Sequence, residues 1–124
     1  ELPTENWSLL VQSVDFHHEK TRRIKKLFDF IPGWRLDDIM VSFATPGGGV
    51  GAHFDHYDVF LIQGEGKRLW QLGKACDLNT SINKSSQLNL LSDFSVKEEF
   101  ILEKGDALYI PPHISHNLIH SISA

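Results

Sequence analysis

The sequence has little of what would tie it to an oxidising compartment or a membrane. Its one cysteine, Cys76, cannot close an internal disulfide. No apolar run approaches the roughly 20 residues that a bilayer-spanning helix needs. The first residues lack the charged, apolar and small-residue sections of a secretory leader. These absences point to a reduced, cytoplasmic setting. Methionine is scarce too: the chain starts at Glu1 and has only Met40, so the expectation is a fragment of a longer protein. Basic charge is not in excess, with 12 Lys and Arg against 16 Asp and Glu and a net charge of -4. Direct nucleic-acid binding is therefore not expected, and a basic partner fits the sign better. There is no internal repeat, and 41% hydrophobic with 23% charged residues excludes disorder. A length of 124 residues suits one domain with one core.

What is present changes character along the chain. Residues 7–14 form an apolar run too short to favour a helix, and 16–31 then place Ile24, Leu27, Phe28 and Ile31 at helical spacing until Pro32-Gly33 ends the pattern. The opposite face of that helix, with Lys20, Arg22, Arg23, Lys25 and Lys26, reads as solvated. From Trp34 onward short runs rich in Val, Ile, Phe, Leu and Tyr alternate with glycines and polar turns, the pattern of a sandwich or barrel. Strands are expected near 39–45, 54–63, 67–72, 88–91, 99–103, 107–110 and 116–122. Gly64-Glu65-Gly66 predicts a hairpin between the second and third of these. The polar stretch 77–87 reads as a loop, and Cys76 as a loop thiol with no histidine dyad around it.

One spacing carries chemistry. The glycine-rich segment Pro46-Gly-Gly-Gly-Val-Gly51 leads into His53-Phe54-Asp55, and residues i and i+2 of an extended segment point to the same side. His53 and Asp55 can therefore converge on one point. A third ligand is offered by Gly105-Asp-Ala-Leu-Tyr-Ile-Pro-Pro-His-Ile-Ser-His116, where a stiff Pro111-Pro112 turn precedes His116. Two histidines and one carboxylate occupy one face of an octahedral ion and leave three positions open, which suits non-haem Fe(II) handling dioxygen and a chelating co-substrate. A structural zinc site would be closed by four ligands and would favour thiolates, and Cys76 has no partner.

At these residues the chain resembles the cupin superfamily, whose second motif, Gly-x5-Pro-x-Gly-x2-His-x3-Asn, is matched by Gly105, Pro111 and His116. It departs from that motif at His113, where glycine stands, and at His120, where asparagine stands, which makes His113 the rival third ligand. The first cupin motif has His-x-His and a later glutamate. Here Asp55 takes the second position and the glutamate is missing, as in the oxygenase branch. More closely, the stretch from Trp34 to Trp70, together with Gly-Asp-Ala-Leu-Tyr-Ile-Pro-Pro, is similar to bacterial JmjC-type ribosomal oxygenases. These are in turn similar to the eukaryotic nucleolar histidyl hydroxylases.

The resemblance implies a mainly β fold, a double-stranded β-helix (jelly roll, in the cupin and JmjC manner) with a flanking N-terminal helix, forming a single catalytic core over residues 1–124. It implies a protein hydroxylase dependent on Fe(II), 2-oxoglutarate and dioxygen, acting on an arginine of a large-subunit ribosomal protein. The longer family members carry dimerisation and winged-helix regions, so a homodimer is expected of the full-length protein. His53, Asp55 and His116 would hold the metal. Arg68, on the apolar face with Trp70 and Leu72 and able to grip a carboxylate with two parallel hydrogen bonds, would bind the far end of 2-oxoglutarate. Ser42 would add a hydroxyl hydrogen bond there. Tyr57 and Asp58, just after the metal motif, are candidates to receive a guanidinium group. Two rival readings remain: a cupin metalloenzyme that does not use 2-oxoglutarate, and a non-catalytic metal-binding β-sandwich module.

Overall fold

A computed structural model describes residues 1–77, 79–80, 82 and 90–120. Most of the expected 77–87 loop, the start of the expected 88–91 strand and the end of the 116–122 strand lie outside the described residues. The chain divides into two compact units, Ser8–Phe43 and the combination of Glu1–Trp7 with Ala44–Ala124. No helix among the described residues is long and apolar enough to cross a membrane.

In the first unit β1 (Ser8–Val11) pairs with β2 (Val41–Ala44). Between them run the 3-10 turn Val14–Phe16, the helix α1 (Glu19–Arg23), and 3-10 turns at Ile24–Phe28 and Gly33–Arg35. The helix expected over 16–31 is thus only five residues of α-helix continued by a tighter winding. Apolar spacing sets a helical direction but not its winding, and within the tighter stretch Lys25 turns inward. Its ammonium lies 2.6 Å from Asp15 Oδ2 and donates to the Asp37 carbonyl at 3.2 Å. The expected solvated face holds at Lys20, Arg22, Arg23 and Lys26, which are exposed, although Arg22 Nε also donates to the Asp15 carbonyl at 2.9 Å, and it fails at Lys25, which is half-buried. Of the residues at helical spacing, Ile24, Phe28 and Ile31 are half-buried and Leu27 is exposed.

Asp15 is the hub of the unit. It is 1% exposed, and its carboxylate accepts the Ile39 N–H at 2.8 Å as well as pairing with Lys25. Burial pushes its pKa up, but the Lys25 ammonium and the Ile39 N–H outweigh burial and hold it below the ordinary carboxylate value. A depressed folded-state pKa contributes stability at neutral pH that is lost as pH falls below the unfolded value of about 3.9 and through the folded one. Asp15→Asn is expected to cost about 2 kcal/mol at pH 7. That difference from the natural sequence should shrink in chemical unfolding run near pH 3, and a constant difference would show that the Lys25 pair contributes nothing.

The second unit contains the site. β3 (Val59–Ile62) pairs antiparallel with β6 (Ala107–Ile110), with Val59 opposite Ile110 and Ile62 opposite Ala107. β4 (Lys67–Ala75) is the centre of a sheet ordered β5-β4-β7, flanked by β5 (Glu98–Glu103) and β7 (Ile114–His120). The chain therefore changes sheet between β3 and β4, between β5 and β6 and between β6 and β7, while β4 and β5 pair with each other, and the hairpin expected at Gly64-Glu65-Gly66 is a corner. Gly66 does take a positive φ of 70°, as the turn requires, but the pairing of Ile62-Gln63 continues with the 105–107 segment. Gln63 N–H donates to the Asp106 carbonyl, and Gly105 N–H donates to the Gln63 carbonyl, each at 2.9 Å. The corner between β5 and β6 lies beside it, linked by the ion pairs Lys104–Glu65 at 2.8 Å and Lys67–Glu103 at 3.1 Å. A Gly-x-Gly turn is compatible with either a hairpin or a corner, and a distant partner strand, β6 beginning at Ala107, decides between them. These three crossings between sheets give the jelly roll.

Packing at the join of β4 and β7 is close. A Cβ on Gly73 would stand 2.4 Å from Ser115 Oγ, a hydroxyl that donates to the Lys74 carbonyl at 2.7 Å and is fully buried. Cys76 lies outside any strand, as expected, but directly after β4 it is buried, and its N–H donates to the His113 carbonyl at 2.7 Å.

Candidate metal centre

His53, Asp55 and His116 meet, with their ligand atoms all within 4.8 Å of one another. His116 comes from β7. The segment holding His53 and Asp55 is not the regular strand expected from residue 54, since β3 starts only at Val59. It is held extended by anchors instead. His53 N–H donates to the His116 carbonyl at 3.0 Å and His116 N–H returns to the His53 carbonyl at 2.8 Å, so two candidate ligands form one antiparallel bridge. On its other side His53 bridges Leu90, and the Asp55 carbonyl accepts the His113 N–H at 2.7 Å. The i, i+2 geometry survives between these anchors. Gly51 has a φ of 106°, and a Cβ there would press on Leu90 at 3.2 Å, which accounts for glycine at the entry to the segment.

The side chains are oriented as well as gathered. Nδ1 of His53 lies 2.9 Å from the Gly51 carbonyl and Nδ1 of His116 lies 3.0 Å from the Ile114 carbonyl. A carbonyl can only accept, so each Nδ1 carries the proton and each Nε2 presents a lone pair. Those Nε2 atoms stand 3.9 Å and 3.4 Å from Asp55 Oδ2, and the rings are 4.3 Å apart, edge to face. Burial, with His116 adding to it, pushes the His53 pKa below the ordinary histidine value against the opposing Gly51 carbonyl and Asp55. The His116 imidazole beside it, outweighing the opposing effect of burial, holds Asp55 below the ordinary carboxylate value, with His53 and the Tyr57 hydroxyl contributing. Neutral imidazole and ionised carboxylate are the forms that bind a divalent cation. The donor set thus fits a metal held on one face and open on the other.

β4 supplies the neighbouring wall. In the antiparallel register Leu72 lies opposite His116, Trp70 opposite Leu118 and Arg68 opposite His120, which puts Arg68, Trp70 and Leu72 on the face that carries His116. The rings of Trp70 and His116 are 6.1 Å apart, and Trp70 is buried. Arg68 is half-buried beside the buried Leu102 of β5, its cross-strand partner, and desolvation lowers its pKa from the ordinary arginine value. Four residues of strand, about 13 Å, separate it from Leu72. Ser42 lies half-buried on β2 in the other unit. Tyr57 is exposed, and Asp58 accepts a hydrogen bond from the Tyr109 hydroxyl of β6.

His113, the rival third ligand, does not join this group. Its side chain turns to His56, with His113 Nε2 3.1 Å from His56 Nδ1, in a pair that the sequence reading missed because its members are 57 residues apart. The departure of His113 from the cupin glycine was the available signal. The position has a φ of 70°, the left-handed conformation that glycine adopts without cost.

A jelly roll with two histidines and a carboxylate gathered on one wall defines a metal-binding β-helix of the cupin type. The chain belongs to the JmjC domain family, whose model matches residues 23–122. It is 46% identical over 111 residues to the ribosomal protein uL16 3-hydroxylase of Escherichia coli, covering 90% of this chain and 30% of that protein. It is 44% identical over 114 residues to the probable ribosomal oxygenase of Haemophilus influenzae, covering 90% and 28%. The solved structure of the ribosomal oxygenase YcfD from E. coli in complex with cobalt and 2-oxoglutarate superposes with a TM-score of 0.83 at 43% identity, over 97% of this chain and 30% of that one. The chain spans about a third or less of these relatives.

Proposed function

We propose that this chain is the catalytic core of a dioxygenase that uses Fe(II) and 2-oxoglutarate to hydroxylate a protein side chain. The reading rests on one observation above all: two Nε2 lone pairs and one carboxylate aimed at a common point, with Arg68 on the same wall. Similarity to a uL16 hydroxylase and to a structure holding cobalt and 2-oxoglutarate supports it. Fe(II) held by His53, Asp55 and His116 would couple conversion of 2-oxoglutarate and dioxygen into succinate and CO2 to insertion of oxygen into a substrate C–H bond. The residues of this chain supply position. Asp55 contributes negative charge to the metal, and the Gly51 and Ile114 carbonyls hold the imidazoles in the metal-binding tautomer. Arg68 receives the distal carboxylate of 2-oxoglutarate, and buried Trp70 keeps water from the wall between them.

The substrate is an arginine of a basic large-subunit ribosomal protein in the cytoplasm, with the acidic chain attracting it and Tyr57 and Asp58 at the exposed rim accepting its guanidinium group. The full-length protein is a homodimer, in which residues 1–124 form one catalytic core. The test is anaerobic addition of Fe(II) and then 2-oxoglutarate to the metal-free chain, followed by aerobic incubation of the full-length protein with a uL16 peptide. A visible charge-transfer band and a gain of one oxygen mapped to arginine are expected. Iron binding without the band would overturn the 2-oxoglutarate assignment in favour of another cupin chemistry, and oxygen mapped to another residue would overturn the substrate assignment alone.

A further inference from the structure

Beside the three-residue centre, the structure sets two more imidazoles at a metal-binding separation. His56 Nδ1 and His113 Nε2 are 3.1 Å apart, with ring centroids at 5.2 Å and planes at 78°. Both residues are exposed. At an imidazole-to-metal bond of about 2.0–2.1 Å, two nitrogens this far apart subtend an angle of about 100° at a shared ion, close to both tetrahedral and square geometries. We propose that His56 and His113 form a second, peripheral site for a late divalent transition ion such as Zn(II), Ni(II) or Cu(II).

The pair is preorganised for this. The backbone of His113 is fixed from both sides, its N–H donating to the Asp55 carbonyl and its carbonyl accepting the Cys76 N–H, each at 2.7 Å. Those bonds hold the residue at a φ of 70°, a conformation in which histidine is strained and glycine is not. The Phe54 ring flanks both imidazoles, with centroids 5.4 Å from His56 and 6.2 Å from His113, and limits their rotation. An ion takes one lone pair from each ring, so the imidazoles bind it as the tautomers that carry their protons on Nε2 of His56 and Nδ1 of His113, and each ring turns slightly about its side-chain bonds to point its lone pair at the metal. Among the described residues the only group of three or more donors is His53, Asp55 and His116, so the second ion keeps water in its remaining positions. It is therefore held more weakly than an ion in the first centre, and imidazole donors select late transition ions over Mg(II) or Ca(II). The Asp55 carbonyl bound by the His113 N–H connects the two sites through one peptide.

The test titrates Zn(II) into the metal-free chain against a chromogenic chelator. Two binding classes are expected for the natural sequence. His56→Gln and His113→Gly should each lose the weaker class and keep the tighter, and glycine suits the left-handed backbone, so that variant also guards against misfolding. The double variant His53→Ala, Asp55→Ala should lose the tighter class and keep the weaker, whether or not the protein proves to be an oxygenase. Imidazole nitrogen shifts of His56 and His113 should move in the second half of the titration. Saturation at one ion, or a weaker class that survives both His56→Gln and His113→Gly, would overturn the proposal.

Discussion

Asp55→Ala is expected to weaken Fe(II) or Co(II) binding by more than about 100-fold and to abolish the 2-oxoglutarate charge-transfer band. Removal of a group that merely orients a metal ligand costs 10–100-fold in affinity, and loss of a ligand itself must exceed that. Asp55 is also the only anion among the three donors, so the variant leaves two neutral nitrogens facing a dication. Its carboxylate is close to both, at 3.4 Å from His116 Nε2 and 3.9 Å from His53 Nε2. The backbone that carries it is held independently, by the His113 N–H on the Asp55 carbonyl and by the His53–His116 bridge, neither of which needs the side chain. The variant should therefore fold with unchanged far-ultraviolet dichroism while equilibrium dialysis shows the metal lost. Retention of one tightly bound Fe(II) per chain would remove Asp55 from the ligand set.

The gathering of the three candidate donors was legible because its information is local. His-x-Asp fixes two donors by backbone geometry alone, and the Pro111-Pro112 turn fixes the approach of the third. The way that geometry is maintained was not legible. An extended segment outside any regular strand takes its shape from bridges to residues 116 and 90 and from a bond to residue 113, and such long-range pairing leaves no periodicity in the segment itself. The same limit explains the corner at 64–66. β2 to β7 were anticipated from runs of strand-forming residues, with 107–110 matching β6 at both ends, whereas β1 was read only as an apolar run, and which strand pairs with which depends on closure of the whole roll. Asp15 was missed for another reason. Charged residues are rarely buried unless paired, and the Lys25 and Ile39 partners that allow it are brought near by an irregular 3-10 turn that apolar spacing does not foretell.

Arg68→Ala should raise the 2-oxoglutarate concentration for half-saturation about 50-fold while leaving Fe(II) affinity unchanged. The strand register supplies the argument. Arg68 and Leu72 are on one face of β4, Leu72 faces His116 across the sheet, and the run of about 13 Å between them suits an extended arginine side chain meeting a five-carbon dicarboxylate anchored at the metal. A half-buried guanidinium beside Leu102 and Trp70 has given up part of its hydration, so a carboxylate that pairs with it there gains more than it would in open water. Truncating one partner of a buried, hydrogen-bonded charge pair costs about 2–5 kcal/mol, and partial exposure of Arg68 places it near the lower end. At 1.4 kcal/mol per factor of ten, that is about 50-fold. Arg68→Lys keeps the charge but not the planar fork, and an intermediate loss of about 5–10-fold is expected. The comparison also separates the rival chemistries. A cupin that uses its metal without 2-oxoglutarate has no carboxylate to place against this wall, so both variants would leave its metal site and its small-molecule binding as they were.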